Sequence, residues 1–429
     1  MSTYKKKFEP PKRYLKASRN IWSEYTDMVR THKPLDLTLG FPDFPPQKQV
    51  TDALAKVADT TYEQTYNPFG QTNLLNSLAG LYTKLLKRNI NPEKELITMA
   101  TGCQSLHVVI MSLVEENDEV IIIEPYFNYY EIFVNIAGGK CRFVSLRFPT
   151  GDKKNEGLCT SGFTLDNEEL SNAFNEKTKL FILNTPNNPS GKVFTKEELS
   201  VIADLCKKWN VVCLADEVYE FFVYPPHEHV RIATLSGMWE RTITMICPGK
   251  AFGVTGWELG VAYSSEELIR KLQIAHQNIV HGNNVPIQEA YAILYEKVIE
   301  QFDESNNLLN SLTKDLVHKR DSMLHILKKV EMEPNVPEGG FFLLANWSSF
   351  AAKVDFVCDS SEPKDFQFAK WMIGNIGLAT IPLSSFYSVK HKHLGENYIR
   401  LCFNKKPETL TEFANIMKKY IDVNISHIE

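Results

Sequence analysis

The chain has 429 residues, and at roughly 150 residues per domain this length allows two or three domains. Its 47 Lys and Arg residues against 52 Asp and Glu residues leave a formal net charge of −5, which argues against a protein that coats nucleic acid. A hydrophobic content of 43%, with 21 Gly and 21 Pro, excludes disordered and collagen-like chains. No apolar run approaches the roughly 18 residues of a membrane helix, so we expect neither nucleic acid nor a membrane as a partner.

The cysteines and histidines form no recognisable disulfide or metal pattern. The eight cysteines include no C-x-x-C pair, which is typical of free thiols in a reducing compartment. The pairs His227/His229 and His391/His393 lack the spacing of metal ligands, so we expect them on the surface and predict no metal site. The basic stretch Met1–Asn20 contains no hydrophobic segment and is not a secretory signal. We predict a cytoplasmic protein, with a mitochondrial location as the alternative.

Short apolar runs alternate with helical patterns through the first part of the chain. A short strand and a turn-rich stretch span Leu35–Pro46, and leucines on one stripe predict a helix from about Thr72 to Arg88. The polar segment Gly151–Gly162 predicts an exposed loop, and Lys196–Trp209 predicts an amphipathic helix. The predicted strands are Val120–Ile123, Cys141–Leu146, Lys179–Asn184, Val211–Ala215 and Thr242–Ile246. This alternation predicts a mostly parallel sheet that is covered by helices on both faces.

The pattern changes in the last third of the chain. Residues from about Glu266 to Val330 are nearly all helical in pattern, and the remaining residues mix short strands with helices. These later elements are the strands Phe341–Ala345 and Tyr398–Phe403 and the helices Pro363–Ile376 and Pro407–Tyr420. We therefore expect an N-terminal arm and part of a small domain at 1–45, a large domain at 46–300 and a C-terminal small α+β domain at 301–429.

Polar side chains follow three of the predicted strands, where open parallel sheets bind their ligands. Asn184 and Asn188 follow one strand, Asp216 and Tyr219 follow the next, and Lys250 follows a third. Taken singly, these segments also suit a turn or a helix cap, and the Gly-Lys pair lacks the spacing of a phosphate-binding loop. Together they match what pyridoxal phosphate requires: an amine for a Schiff base, a carboxylate for the ring nitrogen, and donors to the phenolate oxygen.

Further segments in a fixed order along the chain make this match specific. They are Gly40–Phe44, Glu119–Phe127, Leu183–Phe194, Gly237–Thr244, Ala275–Asn278 and Tyr398–Phe403. From Pro11 to about Tyr420 the sequence resembles the fold-type-I pyridoxal-phosphate aminotransferases, and most of all their kynurenine aminotransferase, glutamine transaminase K and cysteine-S-conjugate β-lyase group. The resemblance implies an α/β fold. Its large domain would hold a mostly parallel, seven-stranded sheet covered by helices, and the two chain ends would form a smaller α+β domain.

The resemblance also implies a role for each residue at the strand ends. Lys250 would form the Schiff base with the cofactor and then move a proton between the substrate Cα and the cofactor C4′. Asp216 would pair with the pyridinium nitrogen, and Asn188 and Tyr219 would donate hydrogen bonds to the 3′ oxygen. Phe127 would stack on the face of the ring. The catalytic residues expected from the resemblance are Lys250, Asp216 and Tyr219.

The phosphate of the cofactor has its own expected site. Gly102 and Cys103 open a predicted helix, whose first backbone N–H groups would bind the phosphate, and Cys247 belongs to the same site. Tyr66 matches a tyrosine that reaches the phosphate across a dimer interface. The resemblance therefore implies a homodimer with shared active sites.

Substrate binding is assigned by the same resemblance. Arg400 matches the arginine that binds the α-carboxylate, for which a planar guanidinium is well suited. The other matching positions around the substrate are Trp22, Gly40, Asn184 and Asn188. Phe341 and Phe342 match aromatic residues near the pocket, although packing in the core accounts for them equally well.

The sequence departs from the family pattern at several site positions. Cys247 replaces a serine, and Glu258 replaces the lysine that forms a salt bridge with the phosphate. Leu39 replaces a glutamine, and His281 stands where the family has an aromatic residue. We therefore expect an altered specificity and a weakened hold on the phosphate.

Three functions agree with this pattern. The first is an aminotransferase that moves an amino group from a bulky aromatic or glutamine-like, kynurenine-type amino acid to a 2-oxo acid by a ping-pong mechanism. The second is a cysteine-S-conjugate β-lyase that uses the same lysine. The third is a divergent paralogue with weakened cofactor binding and little activity, for which Glu258 is the main argument.

Overall fold

A computed structural model describes residues 11–15, 21–58, 60, 66–148, 158–159, 162–304, 307–359 and 362–421, with the backbone alone at 12, 15, 21–25, 158 and 159. Its strands are β1 (Leu35–Asp36), β2 (Leu96–Met99), β3 (Glu119–Glu124), β4 (Lys140–Ser145), β5 (Leu158–Cys159), β6 (Thr178–Asn184), β7 (Val212–Asp216), β8 (Thr242–Ile246), β9 (Gly260–Tyr263), β10 (Glu333–Val336), β11 (Phe342–Asn346), β12 (Leu378–Ala379), β13 (Ile381–Pro382) and β14 (Tyr398–Cys402).

Helices separate most of these strands. They are α1 (Lys12–Leu15), α2 (Ile21–His32), α3 (Lys48–Ala58), α4 (Thr72–Leu86), α5 (Gly102–Leu113), α6 (Tyr129–Ala137), α7 (Asn167–Ala173), α8 (Lys196–Trp209), α9 (Pro248–Ala251), α10 (Glu266–Ile279), α11 (Val285–Glu300), α12 (Leu308–Lys329), α13 (Ser348–Ala351), α14 (Lys364–Trp371) and α15 (Pro407–Lys418). No helix in the described part of the chain is both long and apolar enough to cross a membrane.

The large sheet has seven strands in the order β2-β9-β8-β7-β6-β3-β4. The strands from β8 to β4 run parallel, and β9 runs antiparallel to both of its neighbours. Val120 and Ile122 of β3 pack in the same core cluster as residues of α5, α6 and α10. Ile121 and Ile123 point to the other face, where they pack with residues of α7 and α8. Helices therefore cover both faces, which explains why these strands are almost wholly apolar.

The register of this sheet brings the polar strand ends together. Asn184, the last residue of β6, pairs with Asp216, the last residue of β7, and Asp216 pairs with Met245 of β8. Cys247 and α9 follow directly after β8. Because parallel strands end at the same edge, the three loops open onto one crevice there.

Two smaller sheets complete the fold. One has five strands in the order β13-β14-β11-β10-β5, and the other pairs β1 with β12 in parallel. Apolar residues of α12 and α15 pack against the five-stranded sheet in one core cluster. The start of the chain thus joins its last third, as expected for a smaller α+β unit built from both chain ends. The boundaries at residues 45 and 300 stay predictions.

The region from about Glu266 to Val330 is helical as predicted, in three helices that are separated where Asn284 and Asn307 cap α11 and α12.

The predicted elements need two corrections. Gly151–Gly162 is not wholly a loop, because β5 within it pairs with β10, while 149–157, 160 and 161 lie outside the described residues. Strands β2 and β9 were not predicted, because each has only four residues and little alternation.

Candidate active site

A cavity of about 320 Å³ lies at the carboxyl ends of β6, β7 and β8. The predicted site residues that line it are Gly40, Gly102, Cys103, Phe127, Asn184, Asn188, Asp216, Tyr219, Cys247, Lys250 and Arg400. The departures Leu39 and Glu258 line it as well. Residues that are distant in sequence therefore meet in one pocket, which is the arrangement that the strand-end argument predicts.

Among the described side chains, one predicted site residue is not part of this cavity lining. Tyr66 is 54% exposed, and its hydroxyl forms a hydrogen bond with Nε2 of His281. The two rings lie 5.0 Å apart, centroid to centroid. Within one chain, Tyr66 is therefore not brought to the group around Lys250. Trp22 belongs to α2, and its predicted role is not tested because its side chain lies outside the described residues.

Lys250 lies in the single-turn helix α9, which begins with Pro248 at a position where proline favours a helix start. Its Nζ donates a hydrogen bond to the backbone oxygen of Gly40 at 3.3 Å and lies 5.9 Å from the ring centroid of Phe341. Burial lowers the pKa of the amine below its ordinary value. A lower pKa raises the fraction of neutral amine, which is the form that acts as a nucleophile or base.

Asp216 is the buried acid of the cavity. Tyr130 donates a hydrogen bond from its hydroxyl to Oδ2 of Asp216 at 2.5 Å, and the backbone N–H of Val218 lies 3.4 Å from Oδ1. Burial raises the pKa of Asp216 to about 6, although the bond from Tyr130 opposes this shift. The role of Tyr130 was not predicted from the sequence. An aromatic residue three positions after Phe127 belongs to no motif that indicates a contact with Asp216.

The two asparagines hold the loops after β6 and β7 together. Asn184 donates from Nδ2 to the backbone oxygen of Asp216 at 2.9 Å and accepts at Oδ1 from the backbone N–H of Asn188 at 2.7 Å. Tyr219 packs edge-on against Phe341 with a centroid distance of 5.0 Å. Burial raises the pKa of the Tyr219 phenol far above its ordinary value, so the hydroxyl stays protonated and able to donate.

Arg400 is the buried cation of the cavity, with only 1% of its surface exposed. Strand β14 carries it between β11 and β13. Nη1 donates to Oδ1 of Asn188 at 2.9 Å, Nη2 donates to the backbone oxygen of Thr38, and Cζ lies 4.0 Å from the ring centroid of Phe342. Burial lowers the pKa of the guanidinium to about 10, which leaves it charged at neutral pH. It is therefore a fixed positive group suited to a carboxylate.

The N-terminus of α5 forms the opposite end of the cavity. Thr101 caps the helix by accepting the backbone N–H of Gln104 at 2.9 Å. A Cβ at Gly102 would come within 2.6 Å of Sγ of Cys247, so a glycine allows this close contact. The first N–H groups of a helix have no partner inside it, and they provide a site for an anion such as a phosphate.

Glu258 reaches the same end of the cavity from the turn before β9. Its φ of +37° is rare for a residue other than glycine. The side chain is exposed at the rim, and partial burial still raises the pKa of the carboxyl, while the charge of Lys250 lowers it. Among the described residues, Glu258 forms no salt bridge.

Two histidine predictions were wrong. The side chain of His229 is only 6% exposed, and its Nε2 lies 2.8 Å from Oε2 of Glu217. Glu217, Glu220 and His229 bring ligand-type atoms within 4.8 Å of one another, but Arg231 forms ion pairs with both carboxylates in this cluster. His391 is half-buried and contacts Glu124. Sequence spacing misses both groups because their partners come from other segments.

The cavity residues fit pyridoxal phosphate at its ring. The amine of Lys250 follows β8, and the carboxyl of Asp216 and the protonated phenol of Tyr219 come from the end of β7 and the segment after it. These are the groups that the ring's aldehyde, nitrogen and phenolate oxygen require. The N-terminus of α5 suits the phosphate. The glycine at position 102 allows Cys247 to lie close to this N-terminus. Glu258 places one negative charge beside it.

Comparisons with known proteins agree with this assignment. The family model for aminotransferase class I and II matches residues 32–417. Kynurenine–oxoglutarate transaminase 3 of Bos taurus is 42% identical over 415 residues, which are 96% of this chain and 91% of that protein. Kynurenine–oxoglutarate transaminase 1 of Homo sapiens is 38% identical over 404 residues, or 94% and 96% of the two chains. The crystal structure of Bna3p from Saccharomyces cerevisiae superposes with a TM-score of 0.90 at 27% identity, covering 97% of this chain and all of that one.

These matches span almost the whole chain, and the cavity contains the amine and the acid that the family's chemistry requires. The chain therefore belongs to the class I and II aminotransferases, enzymes that depend on pyridoxal phosphate and pass amino groups to 2-oxo acids.

Proposed function

We propose that this enzyme accepts the amino group of a bulky aromatic or glutamine-like amino acid, of the kynurenine type, and passes it to a 2-oxo acid by a ping-pong mechanism. The observation that carries the proposal is the placement of Lys250, Asp216 and Arg400 on the walls of one cavity. The names of the bovine and human relatives support the choice of donor. Phe342 and Phe127 in the lining give the pocket an apolar wall suited to a bulky side chain.

When bound, the cofactor supplies an electrophilic aldehyde and a ring that accepts electrons. Asp216 lies at the end of β7, and we assign it the role of holding a proton on the ring nitrogen. The hydroxyl of Tyr130 fixes the orientation of its carboxyl group. Asn188 and Tyr219 also line the cavity, and we assign them to the phenolate oxygen as hydrogen-bond donors.

Lys250 carries the proton transfer in this proposal. Its amine is buried, and its pKa is lowered by that burial, so a useful fraction is neutral and able to take a proton from the substrate Cα. The backbone oxygen of Gly40 accepts a hydrogen bond from the same amine. This contact orients Nζ toward the cavity.

Arg400 binds the carboxylate that amino acids and 2-oxo acids share. Its fork of N–H groups is planar, and the stacked ring of Phe342 keeps that plane in place. Donor and acceptor would use this one guanidinium in turn. Each substrate should therefore compete with the other at high concentration, as a ping-pong mechanism requires.

The test is a panel assay on purified protein loaded with pyridoxal phosphate. Kynurenine, glutamine and phenylalanine are paired with several 2-oxo acids, and the amino product is measured. We expect activity that Lys250→Ala abolishes and that Lys48→Ala, a change at an exposed lysine, leaves intact. A donor supplied alone should give one equivalent of its 2-oxo acid per site. Activity that survives Lys250→Ala would contradict the proposal.

The same assay separates the other two functions. Repeated release of a thiol, pyruvate and ammonia from cysteine S-conjugates, beyond one equivalent per site and without any amino acceptor, would identify a β-lyase that uses the same Lys250. A protein that retains the cofactor poorly and turns over none of these substrates would instead be the divergent paralogue. Either result would contradict the aminotransferase proposal.

We also propose a homodimer in which Tyr66 acts in the partner's active site. The supports are its exposed ring, its position outside the cavity lining of its own chain, and the resemblance to the family. Mixed dimers of Lys250→Ala and Tyr66→Ala subunits test this. If Tyr66 acts across the interface, each mixed dimer regains one intact site, whereas action within one chain regains none.

We further propose a cytoplasmic location. Seven cysteine side chains in the described residues are free thiols, which suits a reducing compartment. Cell fractionation tests the proposal, and recovery of the protein with mitochondria would overturn it.

A further inference from the structure

The phosphate end of the cavity, where an anion must bind, contains a carboxylate. Its walls are the N-terminus of α5, Cys247 and Glu258. Burial raises the pKa of the Cys103 thiol to about 11 and raises that of Cys247 as well, so both are neutral near pH 7. Glu258 is then the charged side chain at this end, and the cation that acts on it is Lys250.

The elements around Glu258 contribute few titratable groups that could compensate its charge. Helix α9 contributes Lys250, with Cys247 directly before it, α5 contributes Cys103, and α11 contributes the phenol of Tyr291. Lys250 is the one cation among these groups, and its amine already donates a hydrogen bond to the backbone oxygen of Gly40. A phosphate at α5 would therefore face the Glu258 carboxylate without a cation of its own among the described side chains at that end.

We propose that Glu258 couples cofactor binding to proton uptake: the carboxyl becomes protonated when the phosphate enters, and the site therefore binds pyridoxal phosphate more weakly as the pH rises. This inference rests on the proposed function. It makes Glu258 a specificity-determining residue that sets how strongly the site prefers a phosphorylated to an unphosphorylated pyridoxal.

The affinity for the phosphate changes with pH because phosphate binding and proton binding at Glu258 are linked. The negative phosphate disfavours ionised Glu258, so the pKa of that carboxyl is higher with the phosphate bound than without it. Affinity is then greatest below the pKa of the free site and falls as the pH rises toward the pKa of the bound site. Partial burial already raises the pKa of free Glu258 above its ordinary value, which moves this window upward toward neutral pH.

The backbone at Glu258 supports a positioned side chain. Glu258 lies between the 3₁₀ turn Thr255–Trp257 and β9. Its φ of +37° is in a region that few residues other than glycine adopt. Gly260 is fixed there, because a Cβ at that position would come within 2.6 Å of the backbone oxygen of Thr101. The turn is thereby held against the N-terminus of α5, which keeps Glu258 at the phosphate end.

The experiment measures the affinity of the apoprotein for pyridoxal phosphate and for pyridoxal by equilibrium dialysis across a pH series. The ratio of the two affinities isolates the phosphate, because Lys250 and Asp216 face the same ring in both ligands. At an effective dielectric constant between those of a protein surface and water, and with partial exposure, we expect Glu258→Gln to raise this ratio roughly tenfold above about pH 7. At low pH, where Glu258 is already neutral, the two proteins should converge.

Glu331→Gln is the matched control. Glu331 is also a glutamate with positive φ, at +61°, but it lies outside the cavity and pairs with Lys353. It should leave the ratio and its pH dependence unchanged. Glu258→Lys should raise the ratio further than Glu258→Gln, because attraction then replaces repulsion.

The outcomes separate this inference from the proposed function. An equal ratio in the wild-type protein and in Glu258→Gln at every pH would overturn the inference even if the enzyme is active. A failure of both aldehydes to bind in a manner sensitive to Lys250→Ala would instead count against the proposed function. Spectral titration of the bound ligands gives an independent check on the dialysis.

Discussion

The acidic groups at the two ends of the active-site cavity differ in their burial and in their partners. At the ring end, Asp216 is buried at the centre of the sheet, bonded by Tyr130 and linked through its backbone to Asn184. At the phosphate end, Glu258 is exposed at the rim and has no salt bridge among the described residues. Neighbouring groups therefore hold the carboxyl of Asp216 in one place, whereas we propose that the carboxyl of Glu258 responds to the ligand.

The region behind Asp216 reinforces this difference. Glu217, next in sequence, is wholly buried and contacts His229 and Arg231. Arg231 also pairs with Glu220, to which the hydroxyl of Tyr82 donates a hydrogen bond. This network anchors the loop that carries Asp216 and Tyr219, so the geometry of the ring end is supported from below. The turn that carries Glu258 shows no comparable ion-pair network in the described structure.

The largest effect is expected at Asp216. Asp216→Asn keeps the shape and can still accept the hydrogen bond from Tyr130, but it cannot hold a proton on the ring nitrogen as an ion pair. We expect kcat to fall about a thousandfold, the scale of losing a preorganised electrostatic partner. Steady-state kinetics with saturating cofactor measures it. A loss below about tenfold would mean that the ring end does not depend on this charge.

The same substitution should raise the stability of the cofactor-free protein. Burial raises the pKa of Asp216 from 3.8 to about 6, so its stabilising contribution is full below about pH 4 and is lost as the pH rises through 6. Asp216→Asn has no charge to bury. It should therefore gain about 2 to 3 kcal/mol over the wild type at pH 8 and almost nothing at pH 3. Urea denaturation at the two pH values checks this, and an equal difference at both would contradict it.

Arg400 extends the comparison to the other buried charge. Arg400→Ala should lower kcat/KM about a hundredfold, because two charge-assisted hydrogen bonds to the substrate carboxylate are lost. Arg400→Lys keeps a positive charge without the planar fork and should recover only part of that loss. The exposed Arg30 provides a control, since Arg30→Ala should change nothing. Full recovery of kcat/KM in Arg400→Lys would show that positive charge alone is enough to bind the substrate carboxylate.

The smallest effect is expected at Tyr130. Its hydrogen bond lowers the pKa of Asp216, so Tyr130→Phe should raise that pKa and move the acidic limb of the kcat/KM profile to higher pH. The loss at neutral pH should be about threefold to tenfold. A uniform loss at all pH values would indicate that Tyr130 only packs against the ring.

The sequence predicted the parts of this site that follow strong strand patterns. Asn184, Asp216 and Lys250 follow long apolar runs, and the rule that ligands bind at strand ends was enough to group them. Tyr130 and the cluster around His229 were missed, because their roles depend on contacts between segments that share no spacing signal. The short strands β2 and β9 were missed for lack of length, and β5 because its polar neighbours suggested a loop.

The site residues Gly102, Cys103 and Cys247 were also predicted only in part. Their presence in the site could be predicted from the resemblance, but the reason for a glycine at position 102 could not. Only the structure shows that Sγ of Cys247 would lie 2.6 Å from an added Cβ. Tyr66 remains the part of the predicted site that a single chain does not bring to the cavity.

Lys250, in the same cavity as Asp216, is the group to which we expect the cofactor to bind covalently. Borohydride reduction of the loaded enzyme, followed by proteolysis and mass spectrometry, tests it most directly. We predict one phosphopyridoxyl group per chain, on the peptide that contains Lys250, and none in Lys250→Ala. Label on another lysine, or no label in a protein that retains the cofactor, would contradict the account.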